Sequence, residues 1–422
     1  MYLLPAFRGL KLTLAMALAC VLGLSGAWAQ QPASAPQPTF STPITYDGGP
    51  GGAWYVASGV FNRSGAKDLV VANGFGATLS LLTGNGDGTF NAPRMIFTDP
   101  DRDSVTAVAV ADFNHDGFSD IAFVRSEDVN TQMVVLLGNG KGKFRKTGSA
   151  SLPVVQTFGP MERSIVVADF NGDGALDIAV TSMNTFVSVM LGDGTGNLDI
   201  ATDYIAANFP SGLAAGDFNG DGIIDLTLTD VQSSLPPSQE AASVLLPGLG
   251  NGLFGNPVIQ SLGPNANGIN PIALLAQDMN LDGKPDLLTV YKNPVFVKNK
   301  PVFGSTLVGS ATGQFTRKDF GFALRPGLPT IPSMRALGTA DFNHDGKLDA
   351  AIAVYNPVSP PSDDVYVLTG NGKGRFVGKD LFFTIGISPV AMVVDDFNGD
   401  GKPDIAVALS ADGIAITLNT TP

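Results

Sequence analysis

Asp169–Val180 reads DFNGDGALDIAV, and the way this stretch is built and repeated decides the fold. Oxygen-bearing side chains stand at positions one, three, five and nine of a nine-residue loop: Asp169, Asn171, Asp173 and Asp177. Gly174 takes position six, where the chain must reverse and a left-handed backbone suits glycine best. Asp177 to Val180 then opens an apolar, β-branched run of the kind that forms strands. Five further copies begin at Asp112, Asp217, Asp278, Asp341 and Asp396, and successive starts lie 57, 48, 61, 63 and 55 residues apart. A seventh, damaged copy precedes them at Val60–Asp68 (VFNRSGAKD), where Val60 and Ser64 replace two carboxylates while Asn62, Gly65 and Asp68 remain. Self-similarity at a near-fixed period is the mark of a repeat architecture.

Each repeat has the same internal grammar. A small and β-branched run such as Thr106–Ala111 leads into the loop, and a second apolar strand leaves it at Asp120–Val124. A third follows at Met133–Leu137, a glycine turn at Gly138–Lys143, and a fourth strand from Phe144. The turn returns as GNGDGTF at Gly84–Phe90, GDGTGNL at Gly192–Leu198, GLGNGLF at Gly248–Phe254, GSATGQF at Gly309–Phe315 and GNGKGRF at Gly370–Phe376. Four short antiparallel strands repeated seven times predict an all-β, seven-bladed β-propeller spanning residues 39–419. The last repeat lacks its glycine turn and fourth strand, and Phe40–Tyr46 resembles the missing piece. The N-terminal strand is therefore expected to complete the last blade and close the ring, leaving no free end to fray. An EF-hand is disfavoured because it needs a bidentate Glu at position twelve, where this loop has an apolar strand residue, Val180. A β-helix of calcium nonapeptides would repeat every nine residues without interruption, which this chain does not.

Composition agrees. Charged residues are only 15% of 422, there are 51 glycines, and the apolar content is 44%, which suits short strands and tight turns. The net charge of −13 gives phosphates nothing to bind, so nucleic acid is excluded as a partner. Only Glu127, Glu162 and Glu240 are glutamates, and more than half of the aspartates lie in the six loops. Residues 1–29 read as a secretory signal: Arg8 and Lys11, an apolar run at Leu12–Leu24, and Ala27-Trp28-Ala29 before Gln30. That run is shorter than the roughly 20 residues a membrane span requires. Cleavage there removes Cys20, the only cysteine, so the mature chain is expected to have no disulfide and no membrane span. Gln30–Pro38 is a Pro/Ala/Gln linker. The expected location is secreted, periplasmic or cell-surface.

The loops predict metal. Calcium takes six to eight oxygens in flexible geometry, and three carboxylates in one tight turn repel one another without a cation. The candidate ligands are Asp112, Asn114, Asp116 and Asp120; Asp169, Asn171, Asp173 and Asp177; Asp217, Asn219, Asp221 and Asp225; Asp278, Asn280, Asp282 and Asp286; Asp341, Asn343, Asp345 and Asp349; and Asp396, Asn398, Asp400 and Asp404. About six Ca²⁺ sites are expected. The competing reading is a set of Asx-turns that cap a hairpin, which accounts for one or two acids per loop more readily than for three. With the apolar strand before each loop and the DIAV-like strand after it, the chain resembles the FG-GAP/VCBS-type repeat over Phe40–Leu418. That resemblance implies the calcium-binding propeller head of integrin α chains and of many bacterial exported proteins. It departs from the integrin form in lacking Gly-Ala-Pro after the second strand and in having six metal loops.

Blade topology separates the connections. Loops between first and second strands share one face with the glycine turns. The opposite face carries longer, irregular connections: Thr98–Ser104, Asp230–Ala241, Gly263–Asn270, Lys292–Pro301 and Asn356–Asp364. Variable loops on a rigid frame tend to carry function, so a protein or surface-glycan ligand is expected there. Asp99, Asp101 and Asp103 could ligate another cation but read first as a solvated acidic turn. His115 and His344 both fall at position four of a metal loop and read as solvent-facing fillers. No Ser-His-Asp or zinc set can be built from them. The chain thus reads as a non-catalytic exported adhesion or binding scaffold. The alternative is a polysaccharide-active hydrolase or lyase using carboxylates paired across blades. Trp54 is the one tryptophan left after signal removal, which gives sugar stacking little to work with.

Overall fold

The computed structural model describes residues 36–99, 101, 104–126, 131–152, 164–181, 185–207, 210–230, 241–262, 270–297, 300–326, 328, 331–356, 363–376, 381–411 and 413–422. The signal segment and most of the linker lie outside these residues, as do parts of all the connections predicted to bind ligand. Among the described residues the strands form seven four-stranded antiparallel sheets. The single helical turn among the described residues is Gly74–Gly76. The molecule is a seven-bladed β-propeller, as the repeat period predicts.

Each blade's first strand is innermost. These strands run Tyr55–Gly59, Ser104–Ala111, Ile165–Ala168, Pro210–Gly216, Pro271–Gln277, Ser333–Ala340 and Pro389–Asp395. Each touches the inner strands of its two neighbours, and the first touches the last, so the ring is closed. The second strands are buried on both faces, because each lies mid-sheet between two neighbouring blades; Asp349–Tyr355 and Asp404–Leu409 are examples. That is why they read as continuous apolar runs and not as alternating ones. Outer strands such as Thr202–Ile205 stay largely exposed. The core is a set of seven apolar clusters, one in each seam between adjacent blades. The seam between the last and first blades packs Phe397, Ala406 and Ile414 against Val56, Leu69 and Leu82.

The N-terminal strand closes the ring as expected. Ile44, Thr45 and Tyr46 pair with Ile416, Ala415 and Ile414, and Phe40 bridges to Asn419. One predicted loop is corrected. Lys292–Pro301 is not irregular: Val295 pairs with Val302, Phe296 with Pro301 and Val297 with Lys300, after a register shift. The β-branched and aromatic alternation of Val295-Phe296-Val297 extends the ladder beyond the core.

Candidate functional site

The six nonapeptide loops all sit between first and second strands and are built alike. Position one accepts backbone N–H groups on both carboxylate oxygens. In the second blade Asp112 takes the N–H of Asp116 at 3.1 Å and of Gly117 at 2.8 Å. In the third blade Asp169 takes Asp173 at 3.2 Å and Gly174 at 2.8 Å. Position three accepts the N–H of position five, as Asn114 does from Asp116 at 3.1 Å and Asn280 from Asp282 at 2.8 Å. Position five accepts from position seven, as Asp173 does from Ala175 at 2.7 Å. Asp217, Asp341 and Asp396 repeat the position-one pattern, and Asp221, Asp345 and Asp400 the position-five pattern. Asn219, Asn343 and Asn398 repeat that of position three.

Position nine differs. Asp120 is buried, and its two oxygens receive the N–H of Phe113 at 2.9 Å and of Gly138 at 2.7 Å. Phe113 is position two of the same loop and Gly138 opens the glycine turn, so this carboxylate ties loop to turn. Asp177, Asp225, Asp286 and Asp349 make the same pair of bonds, and Asp404 of the last blade takes Phe397 and, in place of a turn glycine, Asn419. So does Asp68 of the damaged copy, with Phe61 at 3.2 Å and Gly84 at 2.9 Å. The fastening role is therefore independent of the carboxylates that the first copy has lost. The sequence signal was present in the retention of Asp68 where Val60 and Ser64 had replaced its partners.

The loops also reach across the seams. The buried position-two residue offers its carbonyl to a glycine N–H in the next blade's turn: Gly142 to Phe61 at 2.9 Å, Gly252 to Phe170 at 3.2 Å, Gly374 to Met279 at 3.1 Å. Its ring meets the turn's aromatic residue edge to face, as Phe61 does Phe144 at 5.5 Å and Phe170 does Phe254 at 5.5 Å. Such pairs add about 0.5–1.5 kcal/mol beyond their burial.

Burial dominates the electrostatics of position nine. It pushes Asp120, Asp177, Asp286 and Asp404 up to about 6 and Asp349 up to about 7, while the N–H bonds pull the other way. The carboxylates at positions five and one push each of these five further up. Asp68 and Asp225 are raised by burial too. With divalent ions stripped, the folded chain holds these protons more tightly than the unfolded chain. Their stabilising contribution is then gained as pH falls from about 7 toward 4 and lost as it rises through 6 to 7. The metal-free protein is expected to show a higher urea midpoint at pH 5 than at pH 7.5.

The donor set is oxygen alone, which suits a hard divalent cation. Each carboxylate oxygen has two lone pairs, so a backbone N–H does not exhaust it. Asx-type caps explain the residue types at positions one, three and five, but they leave the mutual repulsion of three carboxylates in place. Among the described residues no group of three or more His, Cys, Asp or Glu is placed to hold a metal ion, so in the structure the loops close on their own N–H groups.

Position four has a left-handed backbone. Gly172, Gly220 and Gly399 occupy it in three loops, and His115, Leu281 and His344 occupy it at φ 57°, 63° and 58° in the others. Both histidines are exposed, as the sequence predicts. Nothing lies within 4 Å of a Cβ added to Gly172, so Gly172→Ala meets only the backbone penalty and is expected to cost ~1 kcal/mol in urea denaturation. Leu281→Gly is expected to gain about 0.5 kcal/mol, the relieved strain offset by glycine's entropy.

On the opposite face, Asp99 is not solvated. It is buried and ion-paired with Arg125, which also pairs with the exposed Asp101; Asp103 lies outside the described residues. Trp54 packs edge to face at 5.1 Å against Phe75, which is 68% exposed on the turn between second and third strands of the first blade. Sequence reading missed Phe75, because a GFG tripeptide carries no periodicity.

The profile of the FG-GAP-like repeat matches residues 61–123, 122–180, 169–228 and 341–407. No curated protein matches the chain at the sequence level. Among solved structures, the fold is similar to BBS1N from two crystals of its complex with ARL6DN. The mercury-soaked crystal gives 12% identity, 91% of this chain and 97% of that one, and a TM-score of 0.54. The lead-soaked crystal gives 12%, 90%, 96% and 0.53. A lectin of Agrocybe aegerita recognising non-reducing terminal N-acetylglucosamine aligns at 17% identity over 79% of this chain and 85% of its own, with a TM-score of 0.49. With more than half of its length matched by the repeat profile, the chain belongs to the FG-GAP-like repeat family.

Proposed function

We propose that the protein is an exported, calcium-stabilised binding scaffold that does no chemistry itself and meets a protein or surface-glycan ligand on the face opposite its aspartate loops. The contrast between the two faces carries this reading. On one face, the position-nine aspartate cross-ties loop and turn in six blades, and in the last blade it ties its loop to Asn419. On the other, the links from second to third strands range from two residues, 298–299, to eleven, 231–241. Uniform parts serve the frame, and unequal parts are where recognition resides. Positions one, three and five of each loop, with nine at its base, would hold calcium and supply the opposite charge that three carboxylates need.

The test is binding of the calcium-loaded protein to a glycan array and to cell-surface protein extracts, with hydrolysis assays in parallel. Binding without product release is expected. It should weaken when 231–241 is replaced by a short turn or when Phe75 becomes Ser, with the melting temperature unchanged. Release of cleaved polysaccharide would replace this reading with that of a polysaccharide-active enzyme.

A further inference from the structure

Five of the seven inner strands carry a β-bulge, seen as a register shift against the second strand, four at the same height and the fifth one residue nearer the aspartate loop. The extra residues are Ala107, Ser211, Ile272, Arg335 and Val390. Bulges re-aim side chains, and four of these five line a cavity of about 170 Å³ that also touches Tyr55 and Ser164. Residues from six blades meet there, so the cavity lies on the propeller axis. The inner strands begin on the face opposite the aspartate loops, so the cavity belongs to that half of the channel.

Arg335 is the one charged side chain in this lining. Among the described residues its guanidinium makes no hydrogen bond or ion pair; its recorded contact is with the ring of Tyr355, 5.1 Å from the centroid. Arg335 is half-buried, and a guanidinium at a cavity wall with unmet donors favours an acceptor placed there. Asp363 is near enough for its charge to interact with that of Arg335, but the two form no hydrogen bond or ion pair, and the oxygens of Asp363 accept the N–H groups of Asn356 at 2.5 Å and Ser388 at 2.6 Å. The cavity's serine hydroxyls are also engaged. Ser164 bonds the backbone of Leu213 at 3.1 Å, and Ser211 bonds the hydroxyl of Thr229 at 2.8 Å. The remaining wall is apolar, with Ile272, Leu274, Val390 and Met392.

We propose that this axial cavity binds a small carboxylate with an apolar body, its two oxygens on the fork of Arg335 and its hydrocarbon against the bulged strands. A planar fork matches a carboxylate bidentately. The engaged hydroxyls leave little to satisfy a sugar acid. The volume is below the 300–1,000 Å³ of ordinary ligand pockets, so it takes one short acid or one terminal group. This site does not depend on calcium or on the macromolecular ligand, and its failure would leave the scaffold reading standing.

Calorimetric titration of the calcium-loaded full chain with butyrate and benzoate tests it, with glucuronate and chloride at equal ionic strength as comparisons. Butyrate or benzoate is expected to bind at millimolar or better affinity. Arg335→Gln should weaken that binding at least tenfold, and Arg335→Lys less. Val390→Phe, which narrows the cavity from another blade, should also abolish it while leaving Arg335 in place. Each variant is compared at an unchanged melting temperature. Equal binding by wild type and Arg335→Gln, no binding by either acid, or preference for glucuronate would each overturn the proposal.

Discussion

Stripping divalent cations is expected to lower the melting temperature on the order of 10 °C, and calcium should restore it better than magnesium. Each site filled at ten times its dissociation constant contributes about 1.4 kcal/mol, so six sites contribute roughly 8. That is comparable to the whole stability of a typical domain. With an unfolding entropy of about 2 cal/mol/K per residue, such a loss moves the midpoint by roughly that many degrees. Magnesium should restore less, because it dehydrates reluctantly and demands octahedral geometry. The seams should feel the loss first, since the backbone of position-two residues such as Phe170 and Met279 both opens a loop and accepts a bond from the next blade. A melting curve that does not move in excess chelator would show that the N–H caps alone hold the loops closed, and the calcium proposal would end there.

The second large effect separates fastening from metal. Asp68→Ala is expected to destabilise the protein by about 2–5 kcal/mol, because it strands the buried N–H groups of Phe61 and Gly84. The loss should be the same with calcium and with chelator, since that copy lacks carboxylates at positions one and five. Asp116→Ala should behave in the opposite way. Asp116 is exposed and accepts only the backbone N–H of Phe118 and the exposed amide of Asn114, so its removal should cost under about 1 kcal/mol in chelator and more when calcium is present. Urea denaturation of both variants in both buffers measures the difference. Equal calcium dependence for the two would contradict the division of labour between position nine and the rest.

Repetition made the fold legible. A single DFNGDG loop is ambiguous, but six at a near-constant period with a recurring glycine turn fix strand number, blade number and the closing strand. The role of position nine was harder to see. Asp177 and Asp173 are the same residue type four positions apart, and only burial distinguishes a fastener from an exposed cap. The pairing of Asp99 with Arg125 was invisible because their separation along the chain has no period. The bulges at Ser211, Ile272 and Arg335 were hidden for a related reason. One extra residue in an apolar strand leaves no mark on composition, yet it decides which side chain faces the axis. The lysines, asparagines and prolines of Lys292–Pro301 mask a Val-Phe-Val core that still pairs.

The closing strand has a kinetic consequence. The N–H of Thr39 meets the hydroxyl of Thr421, 382 residues away, so the first part of the ring to be made is the last to find its partner. Until then the third strand of the final blade presents an unpaired edge, and such edges recruit other chains. The earlier blades can pack in order of synthesis, each on its predecessor, which shortens the span left to close and lowers its entropic cost. The final step remains a long-range pairing of the kind that sets slow folding rates. A circularly permuted chain that begins in the aspartate loop of the second blade would move that slow step into the second blade, to the pairing of its first and second strands.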